Sequence, residues 1–237
     1  MTPSATEKRI GLLGGSFNPI HLGHLRSAVE VRSRADLASV WLVPARLPPH
    51  KDAGDIAPAE DRLRMVELAV AGVPELRAEP IELERPGPSY TVHTVRALRE
   101  RHGASFALIL GFEAFREIHT WHEYEALFAE CDLIVTSRPP DVVVAGENAT
   151  LFGRLPIAVS RTFCYDANIG CYAHGSGRRL EFLPVTALDI SASAVRAERA
   201  AGRTLRFLVP DAVDAYITER GLYRSPAAGG SADPRRG

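Results

Sequence analysis

The stretch that most constrains this 237-residue chain is Gly14-Gly15-Ser16-Phe17-Asn18-Pro19-Ile20-His21-Leu22-Gly23-His24. The residues before it, Arg9 to Gly14, form an apolar run without polar alternation. That suits a strand covered on both faces, as in a parallel sheet. The residues after it, Leu25 to Ala35, have the spacing and residue types of a helix. The stretch is therefore a strand-to-helix turn rich in small residues. Such turns commonly face phosphates, because glycines let backbone N–H groups approach an anion and the helix presents its positive end. His21 and His24 stand three residues apart at the helix mouth, on one side of a helical first turn. A donor pair there can bind a polyphosphate and follow charge as it builds during transfer. The purely structural alternative is a buried turn whose two imidazoles are satisfied by neighbouring carbonyls.

Composition narrows the classes. The 28 basic and 29 acidic residues nearly cancel, so no strong field points to nucleic acid and no polybasic run points to a membrane surface. Met1 to Lys8 lacks the apolar core of a signal peptide, and no apolar run reaches the length of a membrane span. Three cysteines, an odd number, fit reduced thiols and a cytoplasmic location.

Val40 to Pro44 reads as a second buried strand, so the N-terminus is a βαβ unit. The next loop carries Pro48-Pro49 and then His50 and Lys51, two potential cations on a stiffened segment. Glu60 to Gly72 reads as a helix, with Asp61, Arg62, Arg64 and Glu67 on its wet face; Leu76 to Leu83 is a weaker strand candidate. Ser89 or Thr91 can cap a helix over Val92 to His102. Phe106 to Gly111 and Asp132 to Ser137 are further buried strands. In open parallel sheets ligands sit beyond the carboxyl ends of strands, which brings Gly111, Glu113 and Trp121 to the rim shared with His21 and His24. Between Arg138 and Arg179 the pattern weakens; Val142 to Ala145 and Leu155 to Val159 are strand or loop, and Asp166 to Gly170 suits a hairpin turn. Cys164, Cys171 and His174 match no paired Cys-x-x-Cys spacing and lack a fourth ligand, so no metal site is expected. Leu180 to Val185 is a strand, and Ser191 or Ser193 can cap the helix after it, with Arg196 on the same face as Ser193.

These motifs carry a resemblance. Gly-Gly-Ser-Phe-Asn-Pro-Ile-His-Leu-Gly-His, from Gly14 to His24, resembles the signature of the nucleotidyltransferase superfamily with a His-x-Gly-His motif. The segments around Lys51, Thr91 and Trp121, and Ile190-Ser191-Ala192-Ser193 followed by Arg196, resemble those of nicotinate-nucleotide adenylyltransferases within it. The resemblance covers roughly Arg9 to Arg138 and Leu180 to Tyr223. It implies a doubly wound, Rossmann-like α/β domain over residues 9–223 with a C-terminal helical portion. Residues 138–179 read as an insertion, and 1–8 and 225–237 as disordered tails.

The resemblance also implies adenylyl transfer from ATP to nicotinate mononucleotide, giving deamido-NAD and pyrophosphate, with Mg²⁺ arriving on ATP. His21, His24 and Arg196 are implied as catalytic. Gly14, Gly15, Ser16, Phe17, Gly111, Glu113, Ile190, Ser191 and Ser193 complete the ATP site; Asn18, His50, Lys51, Tyr90, Thr91 and Trp121 form the mononucleotide site. Two positions depart from the family pattern: Glu113 replaces an aspartate in a Gly-x-Asp segment, and Asn18 stands where many relatives have aspartate. Nicotinamide mononucleotide and phosphopantetheine are rival acceptors, and a nucleotide-binding regulator without catalysis is a rival class. Aminoacyl-tRNA synthetases share a His-containing turn, but this chain is short for one and lacks a Lys-rich second signature. Oligomeric state is not legible in the sequence.

Overall fold

A computed structural model describes residues 8–47, 56–137, 157–186 and 188–224. Apolar strands without polar alternation can be satisfied only between two layers, and that is how they are used. The strands are β1 (Ile10–Gly15), β2 (Ser39–Pro44), β3 (Leu76–Ala78), β4 (Phe106–Gly111), β5 (Asp132–Ser137), β6 (Phe163–Asp166), β7 (Cys171–His174) and β8 (Arg179–Pro184). They form one eight-stranded sheet in the order β3-β2-β1-β4-β5-β8-β7-β6. Neighbours from β3 to β8 are parallel, and β8-β7-β6 run antiparallel. The chain goes outward from β1 through β2 to β3, then returns to β4 on β1's other side. The carboxyl ends of β1 and β4 therefore flank the point where the winding reverses, the usual crevice of such sheets.

Helices cover both faces. Side-chain alternation sends Leu12, Trp41, Leu108 and Leu133 to one core, under α3 (Ile81–Glu84), α4 (Thr91–His102), α5 (Phe112–Arg116), α6 (Tyr124–Glu130) and α7 (Ile157–Ser160). Val40, Leu42, Ala107, Ile109 and Ile134 face the other core. That side is covered by α1 (Leu22–Arg34), α2 (Ala59–Val70), α8 (Ala192–Ala200) and α9 (Asp211–Glu219). Gly11 sits between them: an added Cβ would come within 2.8 Å of both Ile109 and Leu37. Among the described residues no helix is long and apolar enough to cross a membrane.

Several expected elements differ in detail. Helix α1 starts at Leu22 rather than Leu25, because His21 is already its N-cap. The strand expected over Leu76 to Leu83 ends at Ala78, and after Pro80 the chain turns into α3. Neither Ser89 nor Thr91 caps α4: Tyr90 is the N-cap residue, and the Ser89 hydroxyl accepts from the Arg46 N–H at 3.0 Å instead. Ile157–Ser160 is helical. The hairpin turn around Asp166 to Gly170 is present, between β6 and β7. The Val142 to Ala145 segment and the two tails, 1–7 and 225–237, lie outside the described residues.

The largest correction concerns α2. Asp61 and Arg62, expected on its wet face, are 5% and 1% exposed. The buried stripe runs through Arg62, Met65, Val66 and Ala69. A buried guanidinium needs acceptors for its donors, and this one has them. It donates to the carbonyls of Ala57 at 2.9 Å, Ser16 at 2.8 Å and Arg46 at 3.1 Å.

Candidate functional site

The turn after β1 is built so that two imidazoles lie together at the amino end of α1. Their ring centroids are 3.7 Å apart, with planes 26° from parallel. The His21 N–H donates to His24 Nδ1 at 3.3 Å. With Nδ1 accepting, the ring hydrogen of a neutral His24 sits on Nε2, which makes that atom a donor. Phe17 packs its ring edge-on to His24 at 5.1 Å and has φ +44°, an uncommon state for a residue with a Cβ. Gly23 explains how His21 fits: a Cβ there would stand 3.0 Å from His21 Nδ1 and 3.1 Å from Cε1. Gly14 is exposed at the sheet rim, with open space where a Cβ would project.

A second helix end meets the first. Ser191 caps α8, its Oγ accepting from the Ala194 N–H at 3.1 Å and lying 3.0 Å from Ser193 Oγ. Both hydroxyls are exposed. The Ile190 carbonyl comes within 3.5 Å of the Cβ position at Gly23, so the amino ends of α1 and α8 are adjacent. One turn into α8, Arg196 donates to the Asn18 carbonyl at 2.8 Å, which ties α8 to the turn. Two positive helix ends, two imidazoles and a guanidinium thus converge on one patch, an arrangement that attracts polyanions.

Asn18 itself is turned inward. It is 2% exposed, and its Oδ1 accepts from the Ala57 N–H at 3.0 Å and the Tyr223 hydroxyl at 2.8 Å. Burial pushes the Tyr223 phenol well above the usual tyrosine range, so it stays a hydrogen-bond donor. The sequence-expected member here is therefore held as part of the turn's scaffold.

Beside this patch, between the ends of β1 and β4, lies a mostly apolar cavity of about 270 Å³. Gly14, Gly15, Gly111, Thr91, Trp121 and Glu82 are among its walls. Trp121 is half-buried, packed against the core and lining the cavity. Tyr90 is not among the cavity walls: its ring stacks on His122 at 4.2 Å. Glu113, at the start of α5, is 77% exposed and lies 3.7 Å from Arg116. His50 and Lys51 lie outside the described residues.

Glu82 carries no mark of its own in the sequence. It is an acid inside the weak strand candidate Leu76 to Leu83, and only the tertiary structure places it against the cavity. Its Oε1 accepts from Thr94 Oγ1 at 2.7 Å. Burial raises its pKa, with hydrogen bonds from Ser89 and Thr94 and the charges of Arg85 and Arg62 opposing. A raised carboxyl pKa means the folded chain holds this proton more tightly than the unfolded one. The associated stability is present below the unfolded pKa and is lost as pH rises through the folded value. Glu82→Gln is therefore expected to raise the melting temperature at pH 8 relative to the parent, with the gap closing toward pH 4. A gap independent of pH in a thermal-shift series would refute this.

The other site-supporting residues missed by sequence reasoning are Arg62, which anchors Ser16, and Asp61. The Asp61 carboxylate receives Tyr216 Oη at 2.6 Å and Arg220 Nε at 3.1 Å, joining α2 to α9. A signal for Arg62 exists: it stands three and four residues before the buried Met65 and Val66.

Residues 12–198 match the cytidylyltransferase-like family model. A Geobacter sulfurreducens protein named as a probable nicotinate-nucleotide adenylyltransferase is 42% identical over 91% of this chain and 98% of its own length. A Pseudomonas fluorescens protein of the same name is 41% identical over 92% of this chain and 99% of its own. Among solved structures, the Plasmodium falciparum nicotinic acid mononucleotide adenylyltransferase complexed with NaAD superposes with a TM-score of 0.67. It has 18% identity and covers 92% of this chain and 98% of that one, so it supports the likeness of fold.

Proposed function

The chain belongs to the cytidylyltransferase-like family and, within it, to the nicotinate-nucleotide adenylyltransferases, and from that premise we propose how its cleft performs adenylyl transfer. The reaction joins ATP to nicotinate mononucleotide and releases pyrophosphate, giving deamido-NAD. The observation that carries the site reading is the meeting of the α1 and α8 amino ends at His21 and His24, beside an apolar cavity walled by Trp121.

The mononucleotide's 5′-phosphate attacks the α-phosphorus of ATP in line. One P–O bond forms and the bond to the β-phosphate's bridging oxygen breaks, so pyrophosphate leaves with its electron pair. The nucleophile is already an anion, so no side chain need remove a proton. What the protein supplies is alignment of two repelling polyanions and donors for the charge that builds. His21, His24, Ser16 and the Gly14-Gly15-Phe17 backbone take the α- and β-phosphates. Ser191, Ser193 and Arg196 take the departing pyrophosphate, with Ile190 bordering the nucleotide. Gly111 and Glu113 border the ribose. Trp121 and Thr91 hold the pyridine ring and its carboxylate; Asn18, Tyr90, His50 and Lys51 complete that side. ATP enters as its Mg²⁺ complex, the ion neutralising phosphate charge. The donors gathered at the helix ends are imidazole, hydroxyl, guanidinium and N–H groups, which suits an ion held by phosphates and water rather than by protein carboxylates. A cytoplasmic site of action fits the three free cysteines.

The deciding assay follows pyrophosphate release from MgATP, with nicotinate mononucleotide, nicotinamide mononucleotide or phosphopantetheine supplied separately. Release with the nicotinate form alone is expected; release with another acceptor moves the substrate, and none with any of them overturns the reading. Two variants probe the geometry. Trp121→Ala removes an aromatic contact worth about 0.5–2 kcal/mol, so KM for the mononucleotide should rise roughly two- to thirtyfold with that for ATP little changed. Equal effects on both would make Trp121 plain packing. Gly23→Ala forces the His21 ring away by a few tenths of an ångström. Since misplacement by about 1 Å costs about a hundredfold, kcat should fall on the order of tenfold. Unchanged kcat would mean that the ring position does not matter.

A further inference from the structure

Three side chains of metal-ligating type cluster beside Thr91 and Trp121, two residues of the cavity wall. His93 lies in the first turn of α4; His122 and Glu123 follow Trp121 in the turn that leads into α6. Their donor atoms lie within 4.8 Å of one another. Glu123 Oε1 is 3.2 Å from His122 Nε2 and 3.5 Å from His93 Nε2. Two ligand atoms each about 2.0–2.1 Å from a tetrahedral ion are about 3.4 Å apart, so both separations have the length of a tetrahedron's edge, 3.2 and 3.5 Å. The second carboxylate oxygen is engaged elsewhere. Oε2 receives Arg96 Nη1 at 2.8 Å, which orients the group and leaves Oε1 to the imidazoles. The backbone at Glu123 has φ +48°, an unfavourable state for a residue with a Cβ and one that accumulates at ligand clamps.

We propose that His93, His122 and Glu123 form a site for one divalent transition-metal ion of the zinc class, clamping the amino end of α4 to the Trp121 turn. Two imidazole nitrogens and one carboxylate oxygen suit Zn²⁺ or Co²⁺, whereas Mg²⁺ and Ca²⁺ favour all-oxygen sets. Three protein ligands leave a fourth position for water. The three side chains are 34–43% exposed, so an ion can enter from solvent. Bound there, it ties together two segments that wall the cavity: Thr91 is two residues from His93, and Trp121 precedes His122. His122 already stacks on Tyr90, the N-cap of α4.

The test uses the full chain, freed of metal by chelator dialysis, and no substrate, so it stands or falls apart from the adenylyl-transfer reading. Titration with Co²⁺ is expected to give a tetrahedral visible absorption that saturates at one equivalent and is displaced by Zn²⁺ but not by millimolar Mg²⁺. Zn²⁺ should raise the melting temperature of the parent. His93→Ala and His122→Ala should each weaken Co²⁺ binding at least tenfold while the melting temperature of the metal-free protein is kept. If either variant fails to fold, Glu123→Gln takes its place. Binding that does not saturate at one equivalent, or that is equal in parent and variants, would overturn the proposal and assign the metal to adventitious surface groups.

Discussion

Replacing His24 with alanine is expected to lower kcat for pyrophosphate release by roughly 10²–10³-fold, the usual cost of removing one preorganised donor from a developing oxyanion. The position of the ring's hydrogen is the reason. The His21 N–H occupies Nδ1, so Nε2 carries the donor, and the ring is held between His21 at 3.7 Å and Phe17 at 5.1 Å. An alanine keeps the helix but leaves no donor at that position. The melting temperature should fall by only a few degrees, the cost of the lost contact with the His21 N–H, because the core beneath α1 is made by Ala28 and Val31. His24→Gln, which restores an N–H of different reach, should recover part of the rate. Near-normal kcat in the alanine variant would remove His24 from the reaction.

The second large effect is structural. Arg62→Ala is expected to destabilise the protein by about 3 kcal/mol or more, because it removes three part-buried hydrogen bonds from a charged donor at about 1–3 kcal/mol each. For a chain of this size that corresponds to a fall in melting temperature of about 6–12 °C. The three carbonyls belong to Ser16 in the phosphate-facing turn, Arg46 after β2 and Ala57 before α2, so one side chain splices three loops. Arg62→Lys should recover only part of the loss, since one ammonium lacks the planar fork that reaches all three. A melting temperature within about 2 °C of the parent would show that water replaces the guanidinium without cost. Where the variant folds, a raised KM for both substrates is expected, since the Ser16 turn loses its anchor.

Much of the architecture is legible without coordinates. Apolar runs such as Phe106 to Gly111 have few solutions other than a two-sided parallel sheet, and Gly14 to His24 has few other than a strand-to-helix turn. A cap at Ser191 or Ser193, and Arg196 on the same face as Ser193, follow from helical spacing. The misses share a cause. Asp61 and Arg62 look like solvated charges because burying them is costly, and most of that cost is offset by partners far away in sequence: Ser16, Arg46, Tyr216 and Arg220. Ser89 looks like a cap because local chemistry allows it, but Arg46 offers it a different donor.

The division follows from the range of the forces involved. Hydrophobic period, turn chemistry and helix capping act over a few residues, so the chain's own order determined the central strands, the longer helices and the histidine pair at a helix mouth. Sheet order acts over the whole chain, and it alone decided which helix ends meet, that Arg196 reaches the Asn18 carbonyl, and that Glu82 lines a cavity with Trp121. It also brought His93 to Glu123 across a gap of 30 residues. Long-range contacts of that kind are set by packing, because a buried charge or polar group settles wherever the fold brings it a partner.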